Sequence, residues 1–259
     1  MIRLLAALFL FTLNAIAQAG EPLRVMTYNI HHGEGTDQKF DLGRIAKLIL
    51  AQKPDLVAIQ EVDVKTTRAS GVDQAAELAK LTGMHHAFGK FMDYSGGEYG
   101  QMVLSKYPIK RSRNFKLPAG AEPRASIAIE IEIAGEKLVF VGNHFYATEA
   151  QRSAQAEKLI EHLQPELETN THIILAGDFN SEPGSKPMGI LAKHWPDPTA
   201  EKNIPTWPSG EPKVEIDHIL FSPAKRFKFV KSEVIEEKIA SDHRPVVTVL
   251  ELAGEAEDK

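Results

Sequence analysis

Polar residues that can bind a metal ion or carry protons follow several apolar, strand-like runs in this chain. These segments read TYNIHHG from Thr27, QEVD from Gln60, GNH from Gly142, GDFN from Gly177, IDH from Ile216 and SDHRP from Ser241. Strand ends and the loops that leave them are where a rigid scaffold presents functional groups. A carboxylate at the end of an apolar strand, such as that of Glu61, is unfavourable when buried unless it is paired or bound to a metal. The segments are therefore candidates for one shared site.

Each segment also has a purely structural interpretation. Asn29 can simply end a strand, Asp178 can accept the hydrogen bond of an Asx turn, and Glu61 can pair with an arginine. Asp242 and His243 can form a surface turn. Taken singly, these interpretations are adequate, but the recurrence of complementary residue types after apolar strands favours a shared functional role.

The residue types in these segments suit the hydrolysis of a phosphate ester. Oxygen ligands in a chain without cysteine favour a hard cation, Mg²⁺ or Mn²⁺. Such a cation neutralises the phosphate and the charge that develops on it. Imidazoles can donate to a phosphate oxygen or move protons, and a carboxylate behind an imidazole fixes its tautomer. The lack of cysteine also excludes a thiolate metal site and a cysteine nucleophile.

Strands and helices must bring these groups together. The predicted strands cover 23–29, 56–62, 101–105, 113–117, 126–133, 137–144, 173–178, 215–221, 228–236 and 246–251. The predicted helices cover 42–49, 71–82 and 149–163. A loop is expected over 88–99, because it contains Ser95, Gly96 and Gly97. This order predicts one domain of the α/β (α+β) class, in which two mixed β-sheets pack face to face with helices on the outside.

The first residues are predicted to be a signal peptide. Residues 1–19 combine a basic start at Arg3, an apolar run from Leu4 to Leu13, and small residues ending at Ala19. The alternative interpretation of these residues is a membrane anchor or a buried helix. The signal peptide is favoured because the apolar run is shorter than the ~20 residues that a membrane span needs. We therefore expect residues 20–259 to form a single exported domain, either periplasmic or secreted.

The acidic balance of the chain argues against binding a polyanion through bulk charge. The formal net charge is −5, and loss of the predicted signal peptide with Arg3 makes it −6. A local basic groove remains compatible with this net charge. One run of basic residues could form it: Lys106, Lys110, Arg111, Arg113 and Lys116. The alternative is that this run is the solvated face of a strand. The sequence implies no stable protein partner, and we expect a monomer.

Several of these motifs together resemble the endonuclease/exonuclease/phosphatase family, which includes deoxyribonuclease-I-like enzymes. TYNIHHG, QEVD, YGQMVLS, GDFN, IDHIL and SDHRP occur here in the order seen in that family. The resemblance runs from about Leu23 to Leu250, and the pairing of GDFN with SDHRP at this separation is its most specific part. It implies a four-layer sandwich and a hydrolase of phosphoric esters that depends on Mg²⁺ or Mn²⁺.

The resemblance also implies roles for individual residues. Three would bind the metal: Asn29, Glu61 and Asp242. Five would be catalytic: His144, Asp178, Asn180, Asp217 and His243. Asp178 and Asn180 would hold the attacking water and the scissile phosphate, which Arg124 would also contact. Asp217 would orient His243, and the general base would be either Asp178 or His243.

The other histidines have less defined places. The partner carboxylate of His144 is not evident from the sequence, and Glu98 is one candidate. His31 and His32 are poor joint metal ligands, because adjacent side chains on extended chain point in opposite directions. His218 is expected to be a packing residue.

The resemblance gives a reaction class rather than a substrate. The expected substrate is a phosphate ester: a nucleic acid, a phospholipid head group or a small phosphoester. A nuclease would need a basic surface, whereas a sphingomyelinase-like diesterase would favour exposed apolar loops, for which Trp195 and Trp207 are candidates. A small-phosphoester hydrolase fits the compact chain. The non-enzymatic alternatives are a binding module with an inactive site and a fold stabilised by calcium, which a melting shift with Ca²⁺ but no turnover would favour.

Overall fold

The computed structural model describes residues 22–118, 120, 122–222 and 227–252. Two mixed β-sheets face each other, and helices pack on their outer faces. The predicted fold class is therefore confirmed. The predicted signal peptide lies outside the described residues. Within them, no helix is both long and apolar enough to cross a membrane.

The first sheet contains six strands and includes both ends of the described chain. Numbered in chain order, its strands are β1 Pro22–Asn29, β2 Leu56–Val64, β3 His85–Tyr94, β4 Gly97–Ser105, β10 Phe227–Val234 and β11 Val246–Leu252. They lie in the order β10-β11-β1-β2-β4-β3. β1 and β2 are parallel, so their carboxyl ends reach the same edge of the sheet.

The second sheet contains the five remaining named strands, in chain order across the sheet. They are β5 Arg111–Lys116, β6 Ala125–Ile133, β7 Glu136–His144, β8 His172–Asp178 and β9 Asp217–Ser222. β7 and β8 are parallel, and β9 runs antiparallel to β8. The ends of β7 and β8 and the start of β9 therefore meet at one edge.

Four α-helices cover the outer faces of the sheets: α1 Leu42–Gln52, α2 Gln74–Thr82, α3 Glu149–Glu168 and α4 Lys186–Leu191. The first three begin at side-chain caps, with Asp41, Asp73 and Thr148 accepting from backbone N–H groups one turn later. α1 and α2 pack on the first sheet, and α3 and α4 pack on the second.

Both faces of the central strands are buried, because each sheet has the other sheet on one side and helices on the opposite side. Val25 and Leu56 of the first sheet meet Ile127, Phe140 and Ile174 of the second in the middle of the sandwich. This arrangement explains why the residues of β1, β2 and β8 are buried in nearly continuous runs rather than at alternate positions.

The predicted strands and helices are all present with small changes of their bounds, but two elements differ from the prediction. The predicted loop over 88–99 is wrong: β3 and β4 form a hairpin across this region. Its turn consists of Ser95 and Gly96, with positive φ angles of 47° and 79°, as a tight two-residue hairpin turn requires. The Ser-Gly-Gly sequence marked the turn itself rather than a long loop. The helix α4 was not predicted, because one and a half turns give little periodicity.

A glycine on β8 allows the close strand pairing next to the candidate site. A Cβ atom on Gly177 would lie 2.1 Å from the backbone oxygen of Asn143 on β7, so one of the two paired backbones would have to shift. Gly177→Ala is therefore expected to reduce the free energy of unfolding by about 3 kcal/mol, the upper end for overpacking. Urea unfolding measures this change.

Gly189→Ala is the matched control. This helical glycine has no atom within 4 Å of an added Cβ, so alanine there is expected to stabilise slightly through helix propensity. Equal stabilities of the two variants would show that β7 and β8 are not paired as described.

Candidate active site

The functional segments of the sequence converge at one end of the sandwich. Asn29 is the last residue of β1 and pairs with Gln60 of β2. Glu61 is the next residue along β2. On the second sheet, His144 and Asp178 are register partners at the ends of β7 and β8. Asp178 is also paired with Asp217 at the start of β9. The parallel strand pairs thus bring residues that are far apart in sequence to one edge.

Glu61 occupies a β-bulge within β2 rather than the end of the strand. The register between β2 and β4 shifts between Gln60 and Val62, and Glu61 between them has φ of 59°. Bulges re-aim side chains and are frequent beside active sites. Positive φ in a non-glycine residue is unfavourable and concentrates at functional sites. This local geometry turns the Glu61 carboxylate into the cleft, which it lines.

The buried carboxylate of Asp178 is at the centre of the site. One oxygen, Oδ1, accepts a hydrogen bond from the backbone N–H of Asn180 at 2.8 Å. The other, Oδ2, accepts one from Nδ2 of Asn29 at 3.1 Å. Burial, followed by the nearby Asp217 carboxylate, raises the pKa of Asp178 to about 7. The site therefore holds more buried negative charge than its own hydrogen bonds satisfy.

His243 is held by a carboxylate behind it, as the sequence predicted. Its Nδ1 lies 3.0 Å from Oδ2 of Asp217, which also accepts from the hydroxyl of Thr206 at 2.6 Å. Its Nε2 lies 3.7 Å from Oδ2 of Asp178. Burial alone would lower the pKa of His243, but the carboxylates of Asp217, Asp178 and Asp242 raise it to about 10. This imidazole is therefore cationic at neutral pH.

His144 has the opposite electrostatic environment. Its ring is fully buried, and the burial, together with the charges of Arg124 and His243, holds its pKa well below the usual range. Its Nε2 lies 3.6 Å from Oδ2 of Asp178. Asp178 thus stands between a neutral imidazole and a cationic one, each just beyond hydrogen-bonding distance. A phosphate oxygen or a water molecule fits the same set of groups.

Arg124 forms part of the cleft wall and is 4% exposed. Its guanidinium pairs with Glu122, and it lies 4.5 Å from the ring centre of Tyr146 and 5.0 Å from that of Phe91. Its Nε has no hydrogen-bond partner among the described residues. A buried guanidinium with a free donor suits the binding of an anion such as phosphate.

These groups line a pocket of about 360 Å³. Six of the residues that line it are predicted site residues: Glu61, Arg124, His144, Asp178, Asn180 and His243. Four further residues line it as well: Tyr146, Trp207, Val214 and Ile216. Trp207 is a loop residue in the sequence analysis, and Ile216 belongs there to the IDH motif and to the predicted strand 215–221. Tyr146 follows β7, and the other three lie in a segment without regular structure. No sequence pattern marks these four as pocket residues, and the place of Trp207, Val214 and Ile216 depends on how the 199–216 segment folds back.

The carboxylate of Asp242, predicted as a metal ligand, has two side-chain neighbours. Its Oδ2 accepts from Nε1 of Trp207 at 3.2 Å, and the hydroxyl of Ser241 lies 3.4 Å from its Oδ1. Ser241 also donates to the backbone oxygen of Asn29 at 2.7 Å, which ties the SDHRP turn to the end of β1. Asp242 therefore belongs to the site, with its carboxylate directed at the indole of Trp207.

The oxygen donors of the cleft fit a hard divalent cation. Asn29 Nδ2 bridges Oε1 of Glu61 and Oδ2 of Asp178, each at 3.1 Å, so the two carboxylates face one small region. The amide oxygen of Asn29 accepts from the backbone N–H of His31. Behind them, Asp217 Oδ1 is buried without a partner among the described residues. Carboxylate oxygens in excess of nearby donors are what Mg²⁺ or Mn²⁺ would neutralise.

Two expectations about neighbouring residues are wrong. Glu98 is not the partner of His144, because its carboxylate pairs with Lys90 at 2.7 Å. His31 and His32 are not on extended chain: they form a turn of 3-10 helix with positive φ, and their ring centres lie 4.5 Å apart. The second of these rings faces Glu34.

His218 is more than a packing residue. Its Nδ1 lies 3.0 Å from Oδ2 of Asp197, and its Nε2 lies 2.9 Å from the backbone oxygen of Ser181. Both partners are acceptors, so both ring nitrogens donate, which requires the cationic form. Through these contacts His218 connects β9 to Ser181, which follows the GDFN motif, and to Asp197, which lies in the segment before β9.

The chain belongs to the endonuclease/exonuclease/phosphatase family, whose model matches residues 26–243. This finding confirms the resemblance seen in the sequence. Members of the family are generally hydrolases of phosphoesters and generally depend on divalent metal ions. The chain thus has the phosphoesterase fold of this family.

Individual relatives agree with this membership over most of the chain. The uncharacterized protein YbhP of Escherichia coli is 26% identical over 244 residues, covering 88% of this chain and 96% of YbhP. A solved endonuclease/exonuclease/phosphatase structure from Beutenbergia cavernae is 25% identical, with a TM-score of 0.69 over 90% of this chain and 72% of that one. The human Nocturnin catalytic domain with bound sulfate shares the fold, with 21% identity and a TM-score of 0.70 over 90% and 95% of the two chains.

The cationic His218 predicts a pH-dependent contribution to stability. Burial alone would lower its pKa, but the Asp197 carboxylate and the Ser181 carbonyl raise it above the unfolded value of about 6.5. Its stabilising effect is therefore complete below that value and is lost as the pH rises through the folded-state pKa. His218→Gln is expected to reduce the free energy of unfolding more at pH 6 than at pH 9.

Urea unfolding of both proteins at pH 6, 7.5 and 9 measures this difference, with metal chelated throughout. His194→Gln is the control, because this exposed histidine lies after α4 and outside the His218 contacts, and it should give the same small change at each pH. A destabilisation of His218→Gln that did not vary with pH would contradict the assigned cation.

Proposed function

We propose that this chain is an exported, divalent-metal-dependent hydrolase of phosphate esters. The observation that carries the proposal is the placement of Asp178 Oδ2, 3.6 Å from Nε2 of His144 and 3.7 Å from Nε2 of His243. Arg124 and Asn180 line the same pocket. The site combines a carboxylate, one neutral and one cationic imidazole, and a buried guanidinium. Together these groups can bind a tetrahedral anion and move a proton within the site.

The metal would be held principally by Glu61, with Asn29 beside it. Asp242 was predicted as a third ligand, but its carboxylate is engaged by Trp207, so we assign it to the support of the site. When bound, Mg²⁺ or Mn²⁺ neutralises phosphate charge and the charge that develops on the leaving oxygen. The oxygen-only donor set of the cleft supports this choice of cation.

The residues of the chain then divide the remaining work. The cationic His243, fixed by Asp217, donates through Nε2 to a phosphate oxygen, and Arg124 neutralises the same group. Asp178, held by two hydrogen bonds, orients the attacking water and accepts its proton as the new oxygen–phosphorus bond forms. The neutral His144 donates through Nε2 to an oxygen on the other side of the phosphorus. The ester bond to the leaving oxygen breaks, that oxygen takes up a proton from solvent water to give the alcohol, and Asp178 returns its proton to solvent.

The purified protein tests this assignment on a panel of phosphomonoesters and phosphodiesters. Turnover is expected with Mg²⁺ or Mn²⁺ and is expected to stop with EDTA. His243→Ala should lower kcat at least about 100-fold, as loss of a proton-transfer or charge-stabilising group does. Glu61→Gln should instead raise the metal concentration needed for half-maximal rate, since it removes ligand charge.

Phe40→Ala is the matched control, because this exposed aromatic side chain lies outside the residues that line the pocket. It should leave both quantities unchanged. Turnover that survived EDTA and His243→Ala alike would contradict the proposal. A Ca²⁺-induced rise in Tm with no turnover on any substrate would favour the alternative of a fold stabilised by calcium.

The nuclease alternative receives less support from the site than a small-phosphoester substrate does. Arg124 is the sole Lys or Arg among the described residues that line the pocket. The basic run of the sequence falls mainly on β5, the edge strand of the second sheet, where Arg113 pairs with Glu166. A nuclease that grips a duplex needs several phosphate-neutralising cations in its groove. Nicking of supercoiled plasmid in the same assay would reinstate that alternative.

Export is proposed from the sequence of residues 1–19. Expression of the full chain in a Gram-negative host, followed by fractionation and intact-mass measurement, tests it. The expected product is a periplasmic or secreted protein that begins at Gly20. A chain that keeps Met1 and stays with the cytoplasm or membrane would contradict cleavage.

A further inference from the structure

The pocket has an exposed aromatic residue at its rim that the hydrolysis itself does not use. Trp207 is 40% exposed, whereas Trp195 is fully buried. The Trp207 ring lines the pocket, and its centre lies 6.5 Å from that of His243. A large apolar ring left in water beside a catalytic group is a candidate contact for the organic part of a substrate.

Trp207 is held in place from both its backbone and its side chain. Its backbone N–H donates to the oxygen of Val214 at 3.2 Å, and the N–H of Val214 donates back at 3.1 Å. Its indole N–H donates to Asp242, as described above. The next turn is fixed by the backbone N–H of Ser209, which donates to the oxygen of Asp242 at 2.7 Å. A preorganised ring loses little conformational entropy when a ligand packs on it.

The order of strands places a second aromatic ring on the other side of Asp178. Tyr146 follows β7, Asp178 ends β8, and the Trp207 segment leads into β9, so the two aromatic residues flank Asp178 in the sheet order β7-β8-β9. Tyr146 is 37% exposed and lies over the Arg124 guanidinium. The phosphate-binding groups thus lie deep in the pocket, between aromatic residues nearer the surface.

We propose that Trp207 is a specificity-determining residue, on which a planar ring carried by the alcohol part of the phosphoester stacks. This inference rests on the proposed function and names the substrate class within it: a small phosphate ester of an aryl group or of a nucleoside. The pocket of about 360 Å³ is at the lower end of ligand sites, which suits one such ring with its phosphate. Asp242 acts as a positioning residue by holding the indole.

Steady-state kinetics on three phosphoesters test the proposal: phenyl phosphate, a nucleoside 5′-monophosphate and propyl phosphate. Each variant is compared with the wild type on the same ester, so the intrinsic reactivity of the ester cancels. Trp207→Ala is expected to lower kcat/KM about 5- to 100-fold on the two ring-bearing esters, as loss of a stacking side chain does. On propyl phosphate the change should stay within about 3-fold. Trp207→Phe, which keeps a ring, should recover most of the loss.

A binding measurement keeps the inference testable when none of the three esters is turned over. Phenylphosphonate, which has no ester bond, is titrated into the protein in EDTA while tryptophan emission is recorded. Trp195 is buried and Trp207 is at the pocket, so quenching is expected in the wild type and not in Trp207→Phe. Propylphosphonate should quench weakly at the same concentrations.

The outcomes separate this inference from the proposed function. Equal loss on ring-bearing and propyl esters in Trp207→Ala, with hydrolysis still abolished by His243→Ala, overturns the stacking role and leaves the phosphoesterase standing. Absence of turnover on these esters and on the whole panel of phosphomonoesters and phosphodiesters, together with selective quenching by phenylphosphonate, overturns the hydrolase and keeps the stacking site. Absence of both turnover and quenching overturns both.

Discussion

One hydrogen bond between buried side chains joins the two sheets at the active end of the sandwich. Asn29 Nδ2, from the first sheet, donates to Asp178 Oδ2 of the second sheet, and the same amide group reaches Glu61. The two halves of the site therefore come together only if the two sheets lie close enough for this hydrogen bond to form. The apolar layer between the sheets sets this spacing, since Val25 and Leu56 meet Phe140 and Ile174 there.

Burial and charge give the two histidines of the site different protonation states. His144 is surrounded by protein and faces cations, so its pKa is lowered, whereas Asp217 behind His243 raises the pKa of that residue. Identical side chains can thus hold opposite sides of one anion, one as a neutral donor and one as a cation. Pairs of titratable groups whose pKa values are pushed apart are a recurrent way of assigning roles at neutral pH.

The sequence was sufficient for the parts of the fold and site that depend on local patterns. The order of strand-like and helical patterns predicted the sandwich, and short motifs after apolar runs named Glu61, Asp178 and His243 as candidates. The parallel pairs β1/β2 and β7/β8 bring Asn29, His144 and Asp178 together at strand ends, and His243 lies in the turn before β11. Sequence alone did not reveal the bulge that aims Glu61, since a positive φ at glutamate has no residue signature. The partner of Glu98 was also missed, because Lys90 reaches it only through the unpredicted hairpin.

Contacts between irregular segments that lie far apart in sequence were the second feature that the sequence could not predict. Trp207 and Val214 pair across a loop, and Asp242 meets the indole through a contact 35 residues away in sequence. No periodic pattern encodes such contacts, so the sequence did not predict that the Asp242 carboxylate accepts from the Trp207 indole. Substrate-facing residues were hardest to predict for the same reason, because they lie on loops whose shape depends on the whole fold.

The central claim is that this cleft binds a divalent cation for phosphoester hydrolysis, and the location of bound Mn²⁺ tests it most directly. Crystals grown with Mn²⁺ and phosphate would be measured at a wavelength where manganese scatters anomalously. The account predicts a peak beside Glu61 and Asn29, with phosphate near Asp178 and the two imidazoles. A cleft without a peak, or manganese bound only at the separate Asp197, Glu215 and His218 cluster, would contradict it.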